Sequence, residues 1–386
     1  MNDELIKKII KDIRNENKKI IGWGAGGYFA NYDNIFHIKL DYIIDSNESK
    51  WGSEFYGFKI KGPDSLKEED PEKIIIIIYS TFPAAIEKAI KSYGNFVFVL
   101  APVVFSYNMF NLKRKRIKSI ISNNKLKEKY SSGSGIVIQG PVYKDTTLEI
   151  IRYYAAMYPK DCLILSTWDD SNEDDIRELK KYVDYCILNK KPANGGVGNR
   201  FFQIESTLAG IKKAKEIGLK KVLKTRTDMM VYAEDILNQC SNIQKLYKDS
   251  ECEEYGAENR IVIPSSYTCK YKPYFTTDFA MYGNIEDIFT YWNLDYNSGD
   301  KDFEIYEPER LFGRKYCESL GWNMKNTNED WWEFCQKFFI VADDKWFDLT
   351  WYKHPIIPSW IEIDSSKECI SHYFWQQLYF KNKQGE

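Results

Sequence analysis

The sequence predicts an α/β protein of two successive domains, each built around a parallel sheet. Three observations predict it. Apolar strand-like runs alternate with amphipathic helical ones, the pattern of repeated β-α-β units. Two of these series begin alike, with a short strand running into a glycine-bearing loop. One is Lys19-Ile20-Ile21 into Gly22–Gly27, the other Ile136-Val137-Ile138 into Gln139-Gly140-Pro141-Val142. Between them lies Ser131-Ser132-Gly133-Ser134-Gly135, which reads as a flexible linker. The 386 residues allow two or three domains at ~100–200 residues each, and the two beginnings select two. The expected boundaries are residues 1–112, a basic linker over 113–133, and residues 134–386.

Composition excludes several classes. Lys+Arg is 54 and Asp+Glu 56, for a net charge of -2, which argues against a nucleic-acid binder that relies on bulk charge. The N-terminus, Met1 to Lys8, opens on acids and has no apolar stretch of signal-peptide length. The longest apolar run, Phe96 to Phe105, is too short to span a bilayer and contains Pro102. The eight cysteines form no C-x-x-C pair and read as reduced thiols of a cytosolic protein. Their wide spacing and the three histidines argue against zinc.

In the first half, Leu5, Ile6, Ile9, Ile10 and Ile13 recur at helical spacing. The strand at Lys19 then enters Gly22-Trp23-Gly24-Ala25-Gly26-Gly27, and a second strand, Asp41-Tyr42-Ile43-Ile44, ends at Asp45. Glycines at Gly22, Gly24 and Gly27 with an acid ~20 residues on match the dinucleotide-binding pattern of a Rossmann-like sheet. The glycines have two readings, a cradle for a nucleotide or nucleotide sugar at a helix N-terminus and a tight βα turn that binds nothing. No catalytic His, Cys or Tyr-x-x-x-Lys follows in this half, so NAD is not expected. The stretch from Ile20 to Gly62 resembles small Rossmann-like domains appended to bacterial sugar-modifying enzymes. A buried strand at Ile74–Tyr79, a helix near Pro83–Ser92 and a strand at Phe96–Leu100 complete the domain.

Residues 113–129 then carry Lys113, Arg114, Lys115, Arg116, Lys118, Lys125, Lys127 and Lys129 against one acid, Glu128. A basic amphipathic helix fits, either touching an anionic membrane face or serving as a solvated connector.

After Val142 the second half continues with a helix over 145–158 and a strand, Leu163 to Thr167, ending at Trp168-Asp169-Asp170. A helix over 173–182 and a strand over 184–188 follow. A polar loop, Pro192 to Gly198, then precedes Asn199-Arg200 and a long helix over 200–217. The strand Lys221 to Thr225 stops at Arg226-Thr227-Asp228. The carboxyl ends of parallel strands form one ligand crevice. A strand-end acid, a Gly-rich loop before Asn-Arg and a strand ending in an acidic motif occur in this order in GT-A glycosyltransferases, which the second half resembles.

The resemblance is narrower still. Gly135 to Val142, Leu165 to Asp169, Asn199-Arg200, Lys224 to Asp228, Thr277 to Gly283 and Pro308-Glu309-Arg310 are similar to the WavE-type lipopolysaccharide synthesis family. It covers residues 135 to about 345. It implies assembly of bacterial surface polysaccharide, lipopolysaccharide or capsule, from a nucleotide-sugar donor onto a glycan or lipid-linked glycan acceptor. The implied donor site is Gln139, Gly140, Pro141, Asp169, Asn199, Arg200, Arg226 and Asp228. Asn199 and Arg200 would reach the diphosphate, Arg being suited to bidentate contact. Asp228 occupies the place of the last acid of a D-x-D motif, which holds Mg²⁺ or Mn²⁺. Arg226 replaces the first acid, so metal dependence is open. The rival role for Asp228 is a cap on a helix beginning near Ala233. His354 could complete a metal shell or simply pack among aromatics.

An inverting transferase needs a carboxylate base on the acceptor hydroxyl. Glu309 and Asp278 are the first candidates, with Glu329-Asp330 behind them. Glu309 could instead be a first-turn acid facing a helix dipole. Of the 61 aromatic residues, thirty lie beyond residue 260, which suggests a sugar-stacking acceptor surface or an aromatic core. Two rival functions stand beside the transferase. One is an NAD(P)-dependent oxidoreductase acting on a nucleotide sugar through Gly22–Gly27, the other a non-catalytic scaffold of polysaccharide assembly. A cytoplasmic protein is expected, with peripheral contact at the inner membrane as one of the two roles open to its basic segment.

Overall fold

A computed structural model describes residues 3–14, 18–33, 38–123, 129–248, 251–353 and 368–384. Two compact units emerge, Met1–Arg114 and Lys115–Glu386. Both are α/β with parallel-rich sheets, as the alternation of strand and helix patterns predicts.

In the first unit, six strands form one sheet: β1 (Lys19–Trp23), β2 (Tyr42–Ile44), β3 (Glu54–Phe55), β4 (Phe58–Lys61), β5 (Ile74–Ile78) and β6 (Val97–Leu100), in the order β3-β4-β2-β1-β5-β6. All neighbours are parallel except the β3–β4 hairpin. The five consecutive isoleucines of β5 are all buried, as a strand covered on both faces requires. Alternation sorts them, with Ile75 and Ile77 joining Ile20 and Ile43 on one face and Ile74, Ile76 and Ile78 joining Ile21 and Ile44 on the other. The N-terminal helix Asp3–Arg14 buries Ile9, Ile10 and Ile13.

Two expectations about the connection change. The basic residues do not form a separate linker helix. The helix runs Ala101–Asn123, directly from the end of β6, and buries Ile117. Lys125, Lys127 and Glu128 lie outside the described residues. Nor is Ser131–Gly135 an open tether. The Ser131 and Ser132 amides both donate to the Lys160 carbonyl, at 2.9 and 3.0 Å, and a strand begins at Ser134. The serines and glycines are there because the chain turns closely into a sheet, and Gly135 leaves no room for a side chain against Leu219 and Cys162.

The second unit is a seven-stranded sheet. Its strands are β7 (Ser134–Gln139), β8 (Cys162–Trp168), β9 (Tyr185–Asn189), β10 (Lys221–Arg226), β12 (Ile261–Pro264), β13 (Met281–Asn284) and β14 (Phe339–Ala342). The order is β14-β12-β13-β10-β7-β8-β9. A two-stranded ribbon pairs β11 (Met229–Val231) with β15 (Leu349–Trp351). The predicted helices appear as Lys144–Met157, Glu173–Leu179 and Arg200–Glu216. Strand β10 is parallel to β7 and antiparallel to β13, with Lys224 opposite Met281. The end of β10 and the start of β13 therefore lie side by side.

Most late aromatics are core. Trp292, Trp331, Phe347 and Trp375 are fully buried, whereas Trp346 and Tyr373 are exposed. Trp360 lies outside the described residues. Among the described residues no helix is long and apolar enough to cross a membrane.

The helix Pro308–Ser319 packs unusually close to the preceding segment: a Cβ on Gly313 would stand 2.0 Å from the Tyr274 carbonyl oxygen. Backbone must move to admit even one methyl group. Gly313→Ala should destabilise the protein by about 1–3 kcal/mol, the cost of overpacking, read as a lower urea midpoint at unchanged slope.

Candidate active site

Four side chains, three from the sheet and one from a helix, meet at the carboxyl end of β10. Arg226 is the last residue of that strand and stands beside Gln139, the last of β7. Asp228 follows after one residue, and the chain then enters β11 at once. The cap role for Asp228 falls away, because the next helix begins at Ile236. Asp278 lies just before β13, whose antiparallel course brings it to the same end. Glu309 sits in the first turn of the helix that opens on Pro308.

Arg226 ties the group together. Its Nε and Nη2 reach the two Asp228 oxygens at 2.9 and 3.2 Å, and its Nη1 lies 3.4 Å from Asp278 Oδ2. Trp351 Nε1 donates to Asp228 Oδ2 at 3.2 Å, and the Arg226 guanidinium lies 5.4 Å from the Trp351 ring centre. The Tyr352 amide donates to the Asp228 carbonyl at 2.9 Å, so the β11–β15 ribbon is what holds Trp351 there. Burial opposes ionisation of Asp228, but the charge and hydrogen bonds of Arg226 outweigh it and hold the carboxyl below its ordinary value. Burial likewise works against the Arg226 charge, and Asp278 and Asp228 together push its pKa up instead.

Glu309 behaves differently. It is half-buried, and burial together with the Asp278 charge pushes its carboxyl up to about 7. Its backbone carbonyl accepts from the Thr276 amide at 3.2 Å, which fixes the first turn of its helix against the segment leading to Asp278. Tyr267 and Tyr143 border the group. The Tyr267 phenol is raised by burial and by the Glu309 and Asp278 charges, and that of Tyr143 by burial and by Asp228.

Beneath lies Lys224, fully buried, its amine donating to the Asp278 carbonyl and resting 4.6 Å from the Trp292 ring centre. Burial pushes its pKa down to about 8. The sequence reading missed it, although a lysine inside the buried run Val222-Leu223-Lys224 is the kind of signal that marks a partnered interior charge. Trp351 could not have been found as a partner of Asp228, because the contact joins residues far apart in sequence.

The other expected residues separate into two groups. Asp169 and Asn199 are exposed, and Pro141 is exposed on the turn after β7. Asn199 holds a left-handed backbone, φ 61°, in the loop before the helix Arg200–Glu216. Gln139 is buried, its side-chain oxygen accepting from Ser206 Oγ at 2.8 Å and its carbonyl from the Thr227 amide at 3.0 Å. Gly140 takes φ 122° so that its amide can reach the Ser166 carbonyl. Arg200, expected to reach a diphosphate, is fully buried instead. Its Nε donates to the Val197 carbonyl at 2.7 Å and its Nη1 to that of Phe303 at 2.5 Å, so it clamps the glycine loop, while its Nη2 is buried with no hydrogen-bond partner among the described residues. The loop also touches the helix of Glu309, since a Cβ on Gly198 would lie 2.5 Å from Pro308.

The donor set bears on the metal expected from the resemblance. Both Asp228 oxygens face a guanidinium, and His354 lies outside the described residues. Among the described residues no group of three or more His, Cys, Asp or Glu is placed to hold a metal ion. Among the described residues, this donor set does not fit a divalent cation.

In the first unit, Asp45 closes on its own glycine turn. Its Oδ2 accepts from the Ala25 amide and from Lys50 Nζ, each at 2.9 Å, and its Oδ1 from the Asn47 amide. Gly22 lies inside β1, where a Cβ would strike Leu40, and Gly24 packs on the Tyr79 carbonyl. Gly27 opens the short helix Gly27–Asp33.

Residues 135–320 match the model of a family described as WavE lipopolysaccharide synthesis. The matched stretch contains Arg226, Asp228, Asp278 and Glu309. No curated protein matches the chain.

The Arg226–Asp228 pair makes a pH-dependent contribution to stability. Its side chains are 19% and 5% exposed. Because the folded pKa of Asp228 is depressed, its contribution is full above the unfolded carboxylate value of ~3.9 and is lost as pH falls through the folded value. Arg226→Met should cost about 3 kcal/mol near neutrality by leaving a buried carboxylate unpaired. The gap to the parent protein should close below about pH 4 in urea unfolding.

Proposed function

We propose that this chain, with its WavE lipopolysaccharide synthesis region, is a glycosyltransferase that moves a sugar from a nucleotide-sugar donor to a bacterial surface glycan, with inversion. The observation that carries this reading is Glu309, a half-buried carboxyl pushed up to about 7 beside Asp278 and Arg226 at the carboxyl end of a mostly parallel sheet. A base with a pKa near the working pH combines a useful ionised fraction with a real pull on the proton. The resemblance to GT-A enzymes in the order of motifs supports the same reading.

In the proposed step the acceptor hydroxyl oxygen bonds to the anomeric carbon as its proton passes to Glu309. The bond from that carbon to the donor phosphate breaks, and its electron pair leaves on the phosphate oxygen. Arg226, its charge fixed by two buried carboxylates, stands where the leaving group's charge grows, a placement that stabilises the transition state without reorganisation. Asp278 keeps Glu309 basic by like-charge repulsion. Exposed Asp169 and Asn199 line the donor side, and Tyr143 and Tyr267 offer ring faces for a sugar.

Arg226, rather than a divalent metal, provides the countercharge in this reading. The internally bonded Asp45 supports a structural turn at Gly22–Gly27 over a dinucleotide cradle.

Glu309→Gln should lower kcat by ~10²–10⁴-fold, the usual share of a general base, while nucleotide-donor affinity by calorimetry stays unchanged. Near-parental turnover would reject Glu309 as the base. In the parent enzyme kcat should rise with pH through about 7, as Glu309 loses its proton.

Chelation is the second test. Turnover should be unchanged in excess EDTA, and a loss restored by Mg²⁺ or Mn²⁺ would contradict the countercharge role of Arg226.

A further inference from the structure

Cys269 and Cys369 stand opposite one another in a short antiparallel ladder. The Lys270 amide donates to the Glu368 carbonyl at 2.7 Å and the Ile370 amide to that of Thr268 at 2.8 Å. The two cysteines are therefore the non-hydrogen-bonded pair between these bonds. Residues in such a pair have Cα atoms ~4.5 Å apart and side chains leaving the same face. A disulfide accepts Cα separations of ~4.4–6.8 Å, so the backbone already has the required span. No other two cysteines face each other across a described ladder.

The ladder is held from outside as well as within. Trp331 Nε1 donates to the Cys269 carbonyl at 2.8 Å, Ser265 Oγ donates to that of Ile370 at 2.8 Å, and Lys270 pairs with Glu368 at 3.0 Å. Cys269 is buried at 3% exposure and Cys369 is half-buried, so Cys369 is the more accessible of the two. Both carry thiols in this structure.

We infer that Cys269 and Cys369 are an oxidative modification site, forming a reversible disulfide when the protein meets a low-molecular-weight disulfide. The Cys369 thiolate attacks one sulfur of the reagent, giving a mixed disulfide and releasing one thiol. Cys269 then attacks the Cys369 sulfur and releases the second. One S–S bond breaks and another forms, the two cysteines are oxidised, and the reagent is reduced to two thiols that take up the two cysteine protons. Burial holds the Cys369 thiol above its ordinary value, so the first attack quickens as pH rises. The bond would staple the segment that follows Tyr267 to the residues that enter the helix His372–Gln384.

The test uses the full chain and oxidised glutathione. The expected product is lighter by two hydrogens in intact mass, yields a non-reducing digest peptide joining Cys269 to Cys369, and reverts in dithiothreitol. Cys269→Ser should stop at one glutathione on Cys369, and Cys369→Ser should give neither product at this site. Cys269→Ala serves if the serine variant does not fold. An unmodified parent protein, a stable glutathione adduct on Cys369 without cross-linking, or a bond to a different cysteine would overturn the inference.

Discussion

The second unit is organised by the mixed pairing of one strand. β10 runs parallel to β7 and antiparallel to β13. A parallel neighbour reaches its carboxyl end where β10 does, while an antiparallel neighbour has only begun there. The chain before β13 is therefore delivered to the crevice, and Asp278 arrives opposite Arg226. Without the antiparallel strand Arg226 would face one carboxylate instead of two. The buried cation and its acids are mutually dependent, because removing one partner leaves an unpaired charge in a low-dielectric surrounding.

The same arrangement separates the tasks of two carboxyls only a helix turn and a strand end apart. Asp228 is tied to a guanidinium and an indole and remains ionised. Glu309, half-buried and next to Asp278, holds its proton to near-neutral pH. Different surroundings thus assign different proton affinities to chemically equivalent groups. Lys224 below adds a third kind of environment, a buried amine bonded to a backbone carbonyl, whose charge burial weakens.

Much of the fold was legible because strands covered on both faces are mostly apolar. Ile74–Ile78 and Leu163–Thr167 announce themselves, and the glycine loops mark where the chain must turn. The identities of Arg226, Asp228, Asp278 and Glu309 could also be read, since acids at strand and helix starts stand out. Their mutual contacts could not. The orientation of Arg200 depends on the Val197 and Phe303 carbonyls, and that of Asp228 on Trp351. Asp45 shows the same limit, since its position matches a ligand-reading acid but its oxygens are spent on Ala25, Asn47 and Lys50. The Ser/Gly stretch misled for a related reason: small residues favour flexible tethers and tight passages alike, and only the Lys160 carbonyl decides between them.

The contact between Gly198 and Pro308 has a mechanical consequence. Nothing compressible separates the glycine loop from the first turn of the helix that bears Glu309, and Arg200 pins the same loop to Phe303. Close-packed parts transmit displacement rather than absorb it. A shift of that loop by a fraction of an ångström would reach Glu309 as a change of position, with no change in its charge or partners. The loop and the carboxyl thus behave as two ends of one lever.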